Sequence, residues 1–128
     1  MTLDSSALLA ILFAEPGHLD LVDRILEADV VRVGAPTLAE TAVVLTARRR
    51  APGTADLDSL LRELGAIVVP FSDAHCAEAV RAHRAFGRGR HRAALNFGDC
   101  LSYAVASLAG DALLFVGRDF AQTDIRRA

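Results

Sequence analysis

Lysine is absent from this chain of 128 residues, and all fourteen basic residues are arginine. That absence removes whole mechanisms. A Walker-type phosphate loop requires its lysine, a pyridoxal enzyme requires a Schiff-base lysine, and the phosphoryl-aspartate proteins that share this kind of layout place a lysine beside the aspartate. Heavy alanine use alongside the arginines fits GC-rich coding, so the bias itself says little about function. Tryptophan is also absent and aromatics are 5% of the chain, too few for a base-stacking platform. Tyr103, the sole tyrosine, reads as a packing residue. The two cysteines, Cys76 and Cys100, have neither zinc-knuckle spacing nor disulfide density, and are expected to be reduced and buried. No two histidines fall at ligand spacing on a helix face. The longest stretch free of charge, Cys100 to Gly110, is far below the roughly 20 apolar residues of a membrane span. Asp4 stands where a signal peptide carries positive charge, and no cleavage pattern follows Ala7 to Ala14, so a cytoplasmic protein is expected.

What is present reads as one domain, residues 1–128, large enough to bury roughly two-thirds of its unfolded surface. Thr2-Leu3-Asp4 is an opening strand, after which Ser5 or Ser6 caps a helix that Pro16-Gly17 ends. A helix from His18 to Ala28 places Leu19, Val22, Ile25 and Leu26 on one stripe, and Val30 to Val33 is a strand. Pro36 opens a helix from Thr37 to Arg50 with Leu38, Ala42, Val43 and Leu45 turned inward, and Pro52-Gly53 stops it. Asp56 to Leu64 is a shorter helix. Ala66 to Val69 has the β-branched character of a buried parallel strand. Ser72 or Asp73 starts a helix to Phe86. Phe97 to Leu108 sets Phe97, Cys100, Leu101, Ala104, Val105 and Leu108 on one stripe before Gly110, and Ala112 to Val116 is a strand. A last edge strand is left with Ile125 to Arg127 or is missing. Alternating strands and helices predict an α/β fold, a three-layer α/β/α sandwich with a central parallel sheet.

Four acids occupy positions that solvation explains poorly. Asp4 ends the first strand, where it can also cap the next helix. Glu40 is the only charge from Gly34 to Ala47, on an otherwise apolar helix, and a buried carboxylate is costly unless a metal or an arginine compensates it. Asp99 heads a strongly apolar helix and alone would be an N-cap. Asp119 follows the strand Leu113 to Val116 and could cap a turn at Phe120. Asp124 is a weaker candidate near the chain end. If these segments share one parallel sheet, its strand ends gather the carboxylates in the crevice where α/β ligands bind. Repulsion among them calls for Mg²⁺ or Mn²⁺, hard ions that prefer oxygen, with the Ser6 hydroxyl adding to a metal-bound water. Such a site suits in-line attack of water on phosphorus and requires no protein nucleophile.

From Ala79 to Gly98 there is no acid, while Arg81, Arg84, Arg88, Arg90 and Arg92 gather with His83 and His91 around Gly87 and Gly89. Arg88, Arg90 and Arg92 suit nucleic-acid phosphates, although a solvated loop has the same composition. Because the loop directly precedes Asp99, it is expected to overhang the metal site.

With Asp4, Ser6, Glu40, Asp99 and Asp119 in this order, the whole chain resembles PIN-domain ribonucleases, specifically VapC-type toxins of bacterial toxin–antitoxin operons. The resemblance is carried by Leu3-Asp4-Ser5-Ser6-Ala7-Leu8, by Leu38-Ala39-Glu40-Thr41, and above all by Gly87-Arg88-Gly89-Arg90-His91-Arg92-Ala93-Ala94-Leu95-Asn96-Phe97-Gly98-Asp99-Cys100. Position 5 is Ser where many relatives have Thr, which keeps the hydroxyl. The resemblance implies Mg²⁺-dependent RNA cleavage, homodimerisation and inhibition by a VapB antitoxin. It makes Asp4 and Asp99 the main metal ligands, with Glu40 and Asp119 completing the quartet. Two other readings are a PIN-like module that grips RNA without cutting it and a structure-specific DNA nuclease, which would call for longer insertions to clamp a duplex.

Overall fold

The computed structural model describes residues 1–49 and 54–128, so the expected helix end at Arg50 and stop at Pro52-Gly53 lie outside the described residues. Four short parallel strands, β1 (Thr2–Leu3), β2 (Arg32–Gly34), β3 (Ile67–Val69) and β4 (Leu113–Leu114), lie in the order β3-β2-β1-β4. Leu3 sits opposite Val33 on one side and Leu114 on the other, and Val33 sits opposite Val68. The chain lays down β1, β2 and β3 in one direction, then returns to add β4 on the far side of β1. Strand order therefore reverses between β1 and β4, and ligands of open α/β sheets bind outside the carboxyl ends at such a reversal. Asp4 and Asp119 follow those two strands.

Helices α1 (Ser5–Leu12), α2 (His18–Leu26), α3 (Ala35–Arg49), α4 (Ala55–Glu63), α5 (Asp73–Phe86) and α6 (Phe97–Ala109) enclose the sheet. Side chains alternate along each strand, so the sheet feeds two cores. On one face Leu3, Val33 and Leu114 pack with Leu8 of α1, Ile25 of α2, Leu45 of α3 and Leu57 of α4. On the other, Leu113 and Phe115 pack with Ala79 and Ala82 of α5, Tyr103 and Ala104 of α6, and Phe120. This is the expected three-layer sandwich. Among the described residues no helix is long and apolar enough to cross a membrane.

Several local expectations fail for identifiable reasons. In α2 only Ile25 is buried, and Leu19 and Leu26 are exposed, because the short helix touches the core along one narrow line. In α3 the buried face is Thr37, Thr41 and Leu45, a four-residue spacing that turns Val43 out to 67% exposure. The two threonine hydroxyls make that polar face viable: Thr37 Oγ1 and Ser102 Oγ are 3.0 Å apart, and Thr41 Oγ1 donates to the Thr37 carbonyl at 2.8 Å. β3 is an edge strand whose Ile67 and Val68 are exposed, so its β-branched run reflects strand preference and not burial. Phe97 and Leu108 are exposed at the two ends of α6, beyond the reach of the core that covers its middle. Cys100 is buried, but Cys76 is exposed, on the first turn of α5.

The last edge strand is reduced to one bridge. Arg127 pairs parallel with Leu113, whose N–H donates to the Arg126 carbonyl at 2.8 Å, while the Ala128 N–H donates to the Leu113 carbonyl at 3.0 Å. The tail is tied down from inside: Tyr103 Oη donates to Asp124 Oδ1 at 2.5 Å and accepts from Arg81 Nη2 at 2.9 Å. Asp124 is thereby an anchor for the tail.

Candidate active site

Asp4 terminates β1 and is the N-cap of α1, which settles the cap on Asp4 rather than on Ser5 or Ser6. It is 3% exposed, and its Oδ2 accepts from the Ser6 N–H at 3.0 Å and the Ser6 hydroxyl at 2.6 Å. Ser6 Oγ in turn accepts from the Val116 N–H at 3.0 Å, tying Asp4 to the end of β4. Ser6 therefore fixes the Asp4 carboxylate.

Asn96, not Asp99, is the N-cap of α6, and the two form a reciprocal capping box. Asn96 Oδ1 accepts from the Asp99 N–H at 2.9 Å, and Asp99 Oδ2 accepts from the Asn96 N–H at 2.7 Å. Asp99 thus sits in the first turn with one carboxylate oxygen held by backbone. Burial pushes its pKa up to about 6. The Asn96 N–H opposes that shift, and the charges of Asp4, Asp119 and Glu40 add to it.

Glu40 projects from α3 onto the start of α6, where Gly98 leaves room for it. A Cβ on Gly98 would stand 2.6 Å from Glu40 Oε1 and 2.7 Å from Oε2. Burial, then the charge of Asp4, raises the Glu40 pKa, with a hydrogen bond from Ser5 acting the other way. Gly98 and Asn96, which sequence reasoning did not single out, are the positions that seat the Glu40 and Asp99 carboxylates. A glycine immediately before the candidate ligand Asp99, inside a helix, was the available signal for the first.

Asp119 precedes a single 3₁₀ turn (Phe120–Gln122) and makes no side-chain cap bond to it, so its carboxylate is free to face the cleft. Asp4, Glu40, Asp99 and Asp119 all line one cleft of about 290 Å³ together with Glu15 and Arg48. Neither Glu15 nor Arg48 had been singled out from sequence.

Arg88, Arg90 and Arg92 do not line this cleft. Arg88 and Arg90 stand with Arg84 and His83 at a second, apolar groove of about 900 Å³ between α5 and α6, which meets the cleft at Asn96. The loop folds back on itself, its Gly87 and Leu95 pairing as an isolated bridge, and its Arg88 and Arg90 face the groove beside α5.

Among the described residues, no three acidic, histidine or cysteine side chains already stand as a closed metal cage. The donor set nonetheless fits a hard divalent ion. It is all oxygen, and Mg²⁺ keeps several of its waters and is held by one or two carboxylates, so a closed cage is not required.

The PIN domain family matches residues 1–126. Ribonuclease VapC36 of Mycobacterium tuberculosis is 44% identical over 126 residues, covering 98% of this chain and 91% of its own. Ribonuclease VapC of Mycolicibacterium smegmatis is 43% identical, covering 98% and 97%. The crystal structure of M. tuberculosis VapC20, a Sarcin-Ricin loop cleaving toxin, superposes with a TM-score of 0.74 at 17% identity, over 99% of this chain and 97% of that one. A toxin–antitoxin complex from Klebsiella pneumoniae gives 0.71 at 13%, over 96% and 92%. The cleft at the β1–β4 reversal, the fold around it and these likenesses agree, and the chain belongs to the PIN-domain family, among its VapC ribonucleases.

Proposed function

We propose that the chain is a Mg²⁺-dependent endoribonuclease, the toxin of a type II VapBC module acting in the cytoplasm. The observation that carries this reading is the meeting of four carboxylates, from four separate elements, at the reversal point of the sheet. When bound, Mg²⁺, or Mn²⁺ in its place, supplies charge neutralisation and an activated water for in-line attack on phosphorus. Asp4 and Asp99 hold it, and Glu40 and Asp119 complete the set. The chain's remaining task is orientation. Ser6 locks the Asp4 carboxylate, Asn96 locks that of Asp99, and Gly98 lets Glu40 lie against the start of α6. No histidine or cysteine lines the cleft among the described residues, and the Ser6 hydroxyl donates to Asp4, so this reading gives the attack to water.

RNA is the substrate in this reading. Arg88, Arg90 and Arg92 take phosphates of the strand beyond the cleft, and changing all three to Gln lowers the log–log salt slope of RNA binding by about 2. The chain works as a homodimer, in which a second copy covers the apolar part of the α5–α6 groove around Phe97 (78% exposed) and Val80 (51%) and leaves its arginine end to the RNA. Changing Phe97 and Val80 together to Glu gives a monomer by light scattering if that is the contact. A VapB-type antitoxin places a basic side chain among the four acids, so Asp99→Asn weakens its binding.

The decisive experiment incubates the purified chain with single-stranded RNA and Mg²⁺. Cleavage disappears with EDTA and in the Asp4→Ala, Asp99→Ala double variant. Cleavage surviving either treatment overturns the metal mechanism, and preference for structured DNA overturns the substrate.

A further inference from the structure

We propose that Arg48 is a substrate-positioning residue, gripping an RNA phosphate next to the one that is cut, and that Glu15 holds its side chain at the cleft and is displaced by the phosphate. This rests on the ribonuclease reading above. Arg48 lies about two turns beyond Glu40 on α3 and is the only cation among the described residues that line the acidic cleft. A polyanion entering this cleft meets five carboxylates, the quartet and Glu15. The cation at their centre answers for the scissile phosphate, and the neighbouring phosphate needs a positive group at the lip.

The way Arg48 is held supports this role. Its Nη1 donates to Glu15 Oε1 at 3.3 Å, and its guanidinium lies over the Phe13 ring at 5.2 Å from the centroid. Both partners come from the segment after α1, which fixes where the arginine points. Neither explains it as a stability device, since the ion pair is about half exposed on both sides and pairs of that kind contribute little. Of the five N–H donors of the fork, one is engaged among the described residues, and the others remain for phosphate oxygens. Arg88 and Arg90, the other candidate phosphate ligands, stand at a different groove.

The test compares wild type, Arg48→Gln, Arg48→Lys and Glu15→Gln. Arg48→Gln raises KM for single-stranded RNA about tenfold while kcat and the Mg²⁺ concentration for half-maximal rate stay unchanged. With Ca²⁺ in place of Mg²⁺, the salt slope of binding to labelled RNA falls by about 0.7 in Arg48→Gln and returns in Arg48→Lys. Glu15→Gln lowers KM, because it removes the competitor. Unchanged KM and salt slope in Arg48→Gln overturn the proposal, as does a loss of melting temperature and kcat with the slope intact. Wild type that binds RNA without cutting it defeats the ribonuclease reading alone; wild type that cuts RNA beside an Arg48→Gln variant with unaltered KM and slope defeats this proposal alone.

Discussion

Substituting Gly98 with alanine sets stability and activity against each other. Gly98 lies in the first turn of α6 with ordinary negative φ, so alanine suits its backbone and reduces the freedom of the unfolded chain. That change stabilises a helix by about 0.5–1 kcal/mol. The new Cβ, however, would stand 2.6 Å from Glu40 Oε1, where ordinary contact begins near 3.4 Å. The carboxylate is the far end of a flexible side chain, so it moves about 0.8 Å at little energetic cost, and the site loses its geometry. A displacement near 1 Å can reduce turnover on the order of a hundredfold. Gly98→Ala is therefore expected to melt about 2–3 °C higher than wild type without metal, and to cleave RNA with kcat lowered by roughly one to two orders of magnitude. Scanning calorimetry and a single-turnover cleavage assay read the two quantities. A variant that melts lower and cleaves normally would refute the reasoning, since it would mean that Gly98 serves helix packing and that the position of Glu40 is immaterial.

Glu40→Gln removes charge without shape, and is expected to abolish cleavage while holding or raising the melting temperature without metal; a large fall in melting temperature with activity retained would make Glu40 a structural ion-pair partner. The raised Asp99 pKa has a definite sign in the metal-free protein: its stabilising effect is full below about 3.8, where the unfolded carboxyl is protonated, and is lost as pH rises through about 6. Asp99→Asn flattens that window and gains about 1 kcal/mol at pH 7 after allowance for solvent screening of a half-buried group, and urea titrations at pH 4.5 and 7 without Mg²⁺ check it. Tyr103→Phe removes the hydroxyl that joins Asp124 to Arg81 and costs about 1 kcal/mol. Hydrogen exchange should then quicken at the Ala128 amide before the middle of α6; uniform quickening would show that the bond supports the whole core and not the tail.

Periodicity and punctuation made the layers and most element boundaries legible, because strands such as Val33 and helices such as Phe97–Ala109 have to bury themselves somewhere. They could not say which half of an apolar helix faces inward when the inward face is polar. Thr37 and Thr41 bury their hydroxyls through Ser102 and a backbone carbonyl, so Val43 turns outward against the hydropathy pattern. The acidic residues were legible as a set because each interrupts an apolar stretch. Arg48 and Glu15 were not, since an arginine at a helix end and a glutamate in a turn between helices look like solvated surface until the fold places both at the same cleft. The basic loop misled in the opposite way: adjacency to Asp99 in the chain suggested adjacency in space, and the Gly87–Leu95 bridge turns its arginines elsewhere.

The quartet also shows how a fold keeps like charges together. Asp4 caps α1, Asp99 sits in the first turn of α6, and the Glu40 carboxylate presses on Gly98 in that same turn, so three of the four lie at helix N-termini. Unsatisfied N–H groups and the helix dipole favour negative charge there. The compensation is partial, because Asp99 and Glu40 still have raised pKa values with burial as the leading cause and neighbouring charge behind it. Asp4, with a serine hydroxyl and a backbone N–H both donating to one oxygen, is bonded most fully of the three. The site is thus built in a gradient, with a fixed carboxylate at the end of β1 and more strained ones across from it on α3 and α6. A divalent ion bound between them relieves the strained side most, so metal binding should protect the start of α6 more than the end of β1.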